Sequence, residues 1–239
     1  MGIMWDGASA VPRMATRMTF DNRKDAGRRL ANLLGSYANR NDVIVLGIPR
    51  GGVPVAFEVA SALDAPLDVF VSRKLGVPGQ EELAFGAIAS GGVRVLDAEI
   101  VEAVGLPDAE IERITTKVRM ELERRERAYR GDRPPLKVEG SRVILVDDGI
   151  ATGSSMRAAI RGLRQLKPGR LVVAVPVAPV STCNRIRADV DELVCAFMPE
   201  SFYAIGQFYD DFSQVTDQEV TDLLHRAEQR PFQKTGGVP

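Results

Sequence analysis

Five short, nearly uninterrupted apolar runs, at residues 43–48, 67–72, 142–146, 171–175 and 193–197, restrict this chain to few folds. Runs of this length are typical of strands buried on both faces. Between them lie segments with helical spacing. Residues 20–38 repeat Ala26, Leu30, Leu33, Leu34 and Tyr37, with Asp21 placed to cap the helix. Residues 53–63, 98–104, 155–166, 184–188 and 216–229 also read as helical, and 108–130 carries Ile111, Ile114, Val118 and Leu122 on one stripe. Residues 83–89 and 93–96 are set to pair as a hairpin around Ser90-Gly91-Gly92. Strands alternating with helices predict an α/β fold with a mostly parallel central sheet flanked by helices.

With 239 residues the chain can form one elaborated α/β domain or two small ones. The reading adopted is a single domain over residues 19–230, with a loosely ordered extension at 1–18 and a frayed tail at 231–239. The formal net charge is -1 and no helix-turn-helix is evident, which argues against a nucleic-acid partner held by bulk electrostatics. Cys183 and Cys195 form no CxxC or Cys/His cluster, so a structural zinc site is not expected, and two scattered thiols fit a reducing cytoplasm. The single histidine, His225, falls at the end of an amphipathic helix and reads as solvated rather than catalytic. No run approaches the roughly 20 apolar residues of a membrane span. The N-terminus lacks the basic flank and apolar core of a secretory signal.

In open parallel sheets, ligands bind beyond the carboxyl ends of the strands. Three Gly-rich or charged segments fall there, at 49–52, 73–82 and 147–155. The third is the most informative. A strand delivers Asp147 and Asp148, a turn containing Gly149 and Gly153 follows, and a helix begins near Ser155. Amides at a helix start, aided by the dipole, form an anion site, to which Thr152, Ser154 and Ser155 add hydroxyls. Carboxylates repel phosphate but accept hydrogen bonds from neighbouring hydroxyls. A ribose 5-phosphate presents that pairing of diol and phosphate. Neither a Walker loop nor a GxGxxG fingerprint is present.

The stretch Val146-Asp147-Asp148-Gly149-Ile150-Ala151-Thr152-Gly153-Ser154-Ser155 resembles the PRPP-binding signature of the type I phosphoribosyltransferases. The resemblance covers residues 20–225 and implies a Rossmann-like fold, with a small hood at 197–215 and a helical insertion at 97–130. It implies that Asp147 and Asp148 hold the ribose 2- and 3-hydroxyls, that Ile150, Ala151, Thr152, Gly153, Ser154 and Ser155 bind the 5-phosphate, and that Gly149 also belongs to the PRPP site. Arg50, Gly51 and Gly52, after Pro49, are similar to the family's pyrophosphate loop, often built around a non-proline cis peptide. Arg73 and Lys74 match the cationic pair that neutralises the leaving pyrophosphate, and residues 75–92 match a mobile flap. Phe202 and Tyr203 take the base-binding positions of the hood, the ring of Phe202 for stacking and the backbone of Tyr203 for the base edge. Mg²⁺ is the implied cofactor, carried on pyrophosphate and ribose oxygens and reached from Asp147 and Asp148 through ribose and water.

The sequence departs from the 6-oxopurine members, which place an acidic residue at the position of Ala151 and a lysine where Pro176-Val177-Ala178-Pro179 stands. Both departures count against hypoxanthine or guanine as acceptor. Glu81 and Glu82 are the candidates for a general base. The expected function is transfer of the 5-phosphoribosyl group of PRPP to a nitrogenous base with release of pyrophosphate. The alternative is a PRPP- or nucleotide-sensing regulator of the same fold, with the Arg/Glu-rich helix at 108–130 as its partner surface. A third reading is hydrolysis or phosphorolysis at a ribose phosphate. Homodimers are common in families of this type.

Overall fold

The apolar runs form one sheet. In the computed structural model, which describes residues 19–230, strands β1 (Val43–Gly47), β2 (Leu67–Val69), β6 (Arg142–Val146), β7 (Arg170–Val177) and β8 (Glu192–Phe197) pair in parallel in the order β2-β1-β6-β7-β8. The expected extension and tail lie outside the described residues. Because side chains alternate along a strand, Ile144 and Val146 enter one core while Val143 and Leu145 enter the other. The first core is covered by α1 (Arg23–Leu33), α2 (Gly52–Leu63) and α7 (Asp217–Glu228), the second by α5 (Ser154–Gln165) and α6 (Val180–Arg187). Strand order reverses between β1 and β6, and ligands bind outside the carboxyl ends at such a switch point.

Two local expectations are corrected. Asn22, not Asp21, caps α1, its side chain accepting from the Lys24 and Asp25 amides. The apolar run at 67–72 does not stay in one strand. After Phe70 N–H donates to Gly47 O at 3.0 Å, buried Ser90 takes over the chain: its Oγ accepts from Val71 N–H at 3.0 Å and its own N–H donates to Val71 O at 2.8 Å. The chain is thereby diverted into a second, antiparallel sheet of β3 (Ser72–Val77), β4 (Gln80–Ala89) and β5 (Val93–Leu96). The segment expected as a loop and flap is therefore largely strand. The β4–β5 pairing is the expected hairpin, with Gly91 and Gly92 both at positive φ in its turn.

Segment 97–130 forms α3 (Ala98–Val104) and α4 (Asp108–Arg130). Three bonds pin α4. Arg130 forks onto Asp68 of β2 through Nε and Nη2, both 3.1 Å, with both side chains largely buried. Tyr129 Oη donates to Asp217 Oδ1 at 2.6 Å, and Glu121 accepts from Arg73 of β3 at 2.8 Å. His225 sits exposed on α7, as expected. Among the described residues no helix is long and apolar enough to cross a membrane.

Candidate active site

The carboxyl ends of β1 and β6 meet at the switch point. β1 continues into Pro49-Arg50-Gly51-Gly52, whose Pro49–Arg50 peptide is cis. This loop lies directly on the acidic pair. A Cβ on Gly51 would stand 2.0 Å from Asp148 Oδ2, and one on Gly52 would stand 2.8 Å from Asp147 Cα. Gly51 has ordinary right-handed dihedrals, so it is the close approach that requires glycine here. The Arg50 side chain is partly exposed, with Nη1 4.0 Å from Asp217 Oδ1.

The two aspartates have different surroundings. Asp147 Oδ1 accepts from the Asp148 amide at 2.9 Å. Burial, and then the neighbouring Asp148 carboxylate, push the Asp147 carboxyl well above the usual carboxylate range. Asp148 is buried, which pushes its carboxyl up, while a 2.8 Å ion pair with Arg23 Nε pulls it back. Arg23 is fixed in turn by Nη1 donating to Ser213 O at 2.7 Å and by stacking 3.9 Å over the Phe212 ring. Tyr209 Oη, its acidity weakened chiefly by burial, donates to Asp148 O at 2.6 Å. Arg23 and Tyr209 are thus the positioning residues of the acidic pair. Neither has a sequence signal, since each meets Asp148 only through the tertiary fold.

Beyond the pair, residues 151, 152, 154 and 155 are exposed, and Gly153 is buried at φ +84. Gly153 is the N-cap of α5, and no side chain caps that helix. Its first amides therefore face an open turn with the Thr152 and Ser154 hydroxyls 3.2 Å apart. Thr182 Oγ1 donates to Ala151 O at 2.8 Å and braces the turn from α6. Ile150 is placed otherwise: its side chain is buried and its N–H donates to Val177 O at 2.9 Å, so that amide is not directed at the turn surface.

The turn opens onto a cleft of about 700 Å³ that also contains Arg73 and Lys74 of β3 and Glu81 and Glu82 of β4. Arg73 is engaged by Glu121, and Lys74 Nζ lies 2.9 Å from Glu82. Glu81 Oε1 accepts from the Gly79 amide at 3.3 Å. α4, whose charged face reads in the sequence as solvated, also lines this cleft, with Arg113 and Lys117. On the other side of the acidic pair, Ile205 would be 2.7 Å from a Cβ on Gly149, so the 197–215 segment closes down beside it. There Phe202 packs on Phe208, with ring centroids 5.4 Å apart, within a cluster that includes Phe20, Tyr209 and Phe212, whereas Tyr203 is exposed.

The donor set does not fit a resident Mg²⁺. Asp148 is held by Arg23, and among the described residues no group of three or more His, Cys, Asp or Glu side chains is placed to hold a metal.

Fold and site together define an α/β domain whose switch point joins an acidic pair to an exposed turn and an uncapped helix start. The chain belongs to the phosphoribosyl transferase domain family, which matches residues 19–213. It is 46% identical over 219 residues to the protein of Mycobacterium tuberculosis H37Rv named "Putative phosphoribosyl transferase Rv0571c", covering 92% of this chain and 49% of the relative. The same figures hold for its counterpart in strain CDC 1551. The chain thus spans about half the length of these curated relatives. It is also similar to the crystal structure of TT1426 from Thermus thermophilus, at 42% identity and a TM-score of 0.80, covering 87% of this chain and 99% of that one.

Proposed function

We propose that this chain transfers the 5-phosphoribosyl group of PRPP, delivered as its Mg²⁺ chelate, to a nitrogenous base and releases pyrophosphate. The observation that carries the reading is the continuity of the acidic pair, packed against the Gly51-Gly52 loop, with the exposed turn at 151–155. In this reading the 5-phosphate rests on the uncapped start of α5 and on the hydroxyls of Thr152, Ser154 and Ser155. The ribose hydroxyls donate to the carboxylates of Asp147 and Asp148, the latter aimed by Arg23. The bond from C1 to the pyrophosphate oxygen breaks with its electron pair leaving on oxygen, and a base nitrogen bonds to C1. Charge grows on the departing pyrophosphate, and Arg73, Lys74 and the Arg50 loop are the groups that would meet it.

The base would enter beside the 197–215 segment. Phe202 is committed on one side to Phe208, so stacking there would extend an existing aromatic cluster. The helix that the sequence offered as a regulator's partner surface is engaged with β2, β3 and α7 through Asp68, Arg73 and Asp217. Pyrophosphate release measured with Mg²⁺-PRPP and a panel of purine and pyrimidine bases tests the proposal. Base-dependent turnover supports it. Binding without turnover supports the sensor, and acceptor-independent release of ribose 5-phosphate supports hydrolysis.

A further inference from the structure

We infer that Lys117 of α4 is a ligand for the terminal phosphate monoester of the substrate, so that this phosphate is held from two sides. This rests on the proposed function for the identity of the sugar phosphate, but not for the presence of the anion site. The cleft of about 700 Å³ is lined both by the α5 turn, through Thr152, Ser154 and Ser155, and by α4, through Arg113 and Lys117. The turn offers amides and hydroxyls but no cation of its own.

Of the cleft cations, three are engaged. Arg73 pairs with Glu121, Lys74 with Glu82, and Arg113 with Glu110 through two bonds of 2.8 and 2.7 Å. Lys117 alone among them has no carboxylate within ion-pair distance among the described residues, and it is exposed to the cleft. An ammonium without a counter-ion, lining the same cleft as an uncapped helix start, adds its positive potential to that of the helix end where a dianion would lie. The position of α4 is not loose. Tyr129 and Arg130 tie its C-terminal end to Asp217 and Asp68, and Glu121, one turn beyond Lys117, is tied to Arg73. Lys117 is thus presented by a fixed helix, which reduces the ordering cost of the contact.

The test is isothermal titration of ribose 5-phosphate, ribose, inorganic pyrophosphate and Mg²⁺-PRPP into the full chain, for the wild type, Lys117→Gln and Lys117→Arg. Glutamine has nearly the same helix propensity, so the exposed substitution leaves the thermal midpoint unchanged. Lys117→Gln is expected to weaken ribose 5-phosphate and Mg²⁺-PRPP by about tenfold or more, the scale of a charge-assisted hydrogen bond. Lys117→Arg is expected to restore most of that loss, and pyrophosphate affinity to stay unchanged. The inference is overturned if Lys117→Gln binds ribose 5-phosphate as well as wild type does, or if it loses pyrophosphate instead. Lys117-dependent binding of ribose 5-phosphate in a chain that ignores Mg²⁺-PRPP would keep the inference and reject the proposed function. A wild type that binds no phosphate compound, or binds ribose equally well, rejects the inference.

Discussion

Replacing Arg23 with methionine should expose how much the acidic pair depends on one distant cation. The Arg23–Asp148 pair is 2.8 Å long and each side chain is 11% exposed. Removing one partner of such a pair costs about 3–5 kcal/mol. Loss of the bond to Ser213 O adds about 1 kcal/mol, while a methionine stem keeps contact with Phe212. The charge penalty has a ceiling, because Asp148 can escape it by taking up a proton. With an ordinary carboxyl pKa of about 3.9, that uptake costs about 4 kcal/mol at pH 7 and about 0.8 kcal/mol at pH 4.5.

With that ceiling, a total of about 4–5 kcal/mol at pH 7 corresponds to roughly 8–20 °C in thermal midpoint for a domain of this size. Arg23 holds the Asp148 carboxyl down, so its removal raises that folded-state pKa further. The penalty is therefore present above the unfolded pKa and disappears below it. Thermal unfolding of wild type and Arg23→Met at pH 7.5 and 4.5 should show a large gap that narrows to less than half at the lower pH. An equal gap at both would mean that Arg23 acts by packing alone and would refute the electrostatic account.

Two further outcomes follow from the same geometry. Gly51→Ala places a Cβ 2.0 Å from a carboxylate oxygen that Arg23 holds in place, so the variant should lose about 1–3 kcal/mol by denaturant unfolding; wild-type stability would show that the loop is not seated on Asp148. Asp147→Asn keeps the acceptor for the Asp148 amide but removes a carboxylate raised by burial and by its neighbour. A raised carboxyl stabilises the fold only below its folded pKa, so this variant should be more stable than wild type at pH 7.5, by about 0.5–2 kcal/mol, with the gain fading as pH falls toward 4. A loss of stability at pH 7.5 would contradict that reading.

The sequence made legible what is encoded locally. The apolar runs at 43–48 and 142–146 are buried on both faces, and the turn at 147–155 carries its glycines, acids and hydroxyls in one contiguous stretch. What it concealed depends on distance or on one-sided burial. Arg23 meets Asp148 across 125 positions, and nothing in the sequence around Arg23 marks it. β3 reads as a loop because Ser72, Arg73, Lys74 and Gly76 are only half-buried, leaving Leu75 and Val77 as its buried apolar signal. On α4 the buried stripe and the charged face are both visible in the sequence, but that Arg113 and Lys117 line a cleft is decided by the docking of α4 against β2 and β3. Phe202 reads in the sequence as a stacking ring, and that it packs on Phe208 within an aromatic cluster is decided by the tertiary fold.

A thermal shift with Mg²⁺-PRPP tests most directly whether the 147–155 segment grips a phosphorylated ribose. Ligand at about 100 times its dissociation constant adds about 2.7 kcal/mol, or roughly 5–11 °C at this domain size. The wild type should rise by that amount, and the combined Asp147→Asn, Asp148→Asn variant should remain folded and not rise. An unmoved wild type, or a double variant that rises as far, would contradict the account.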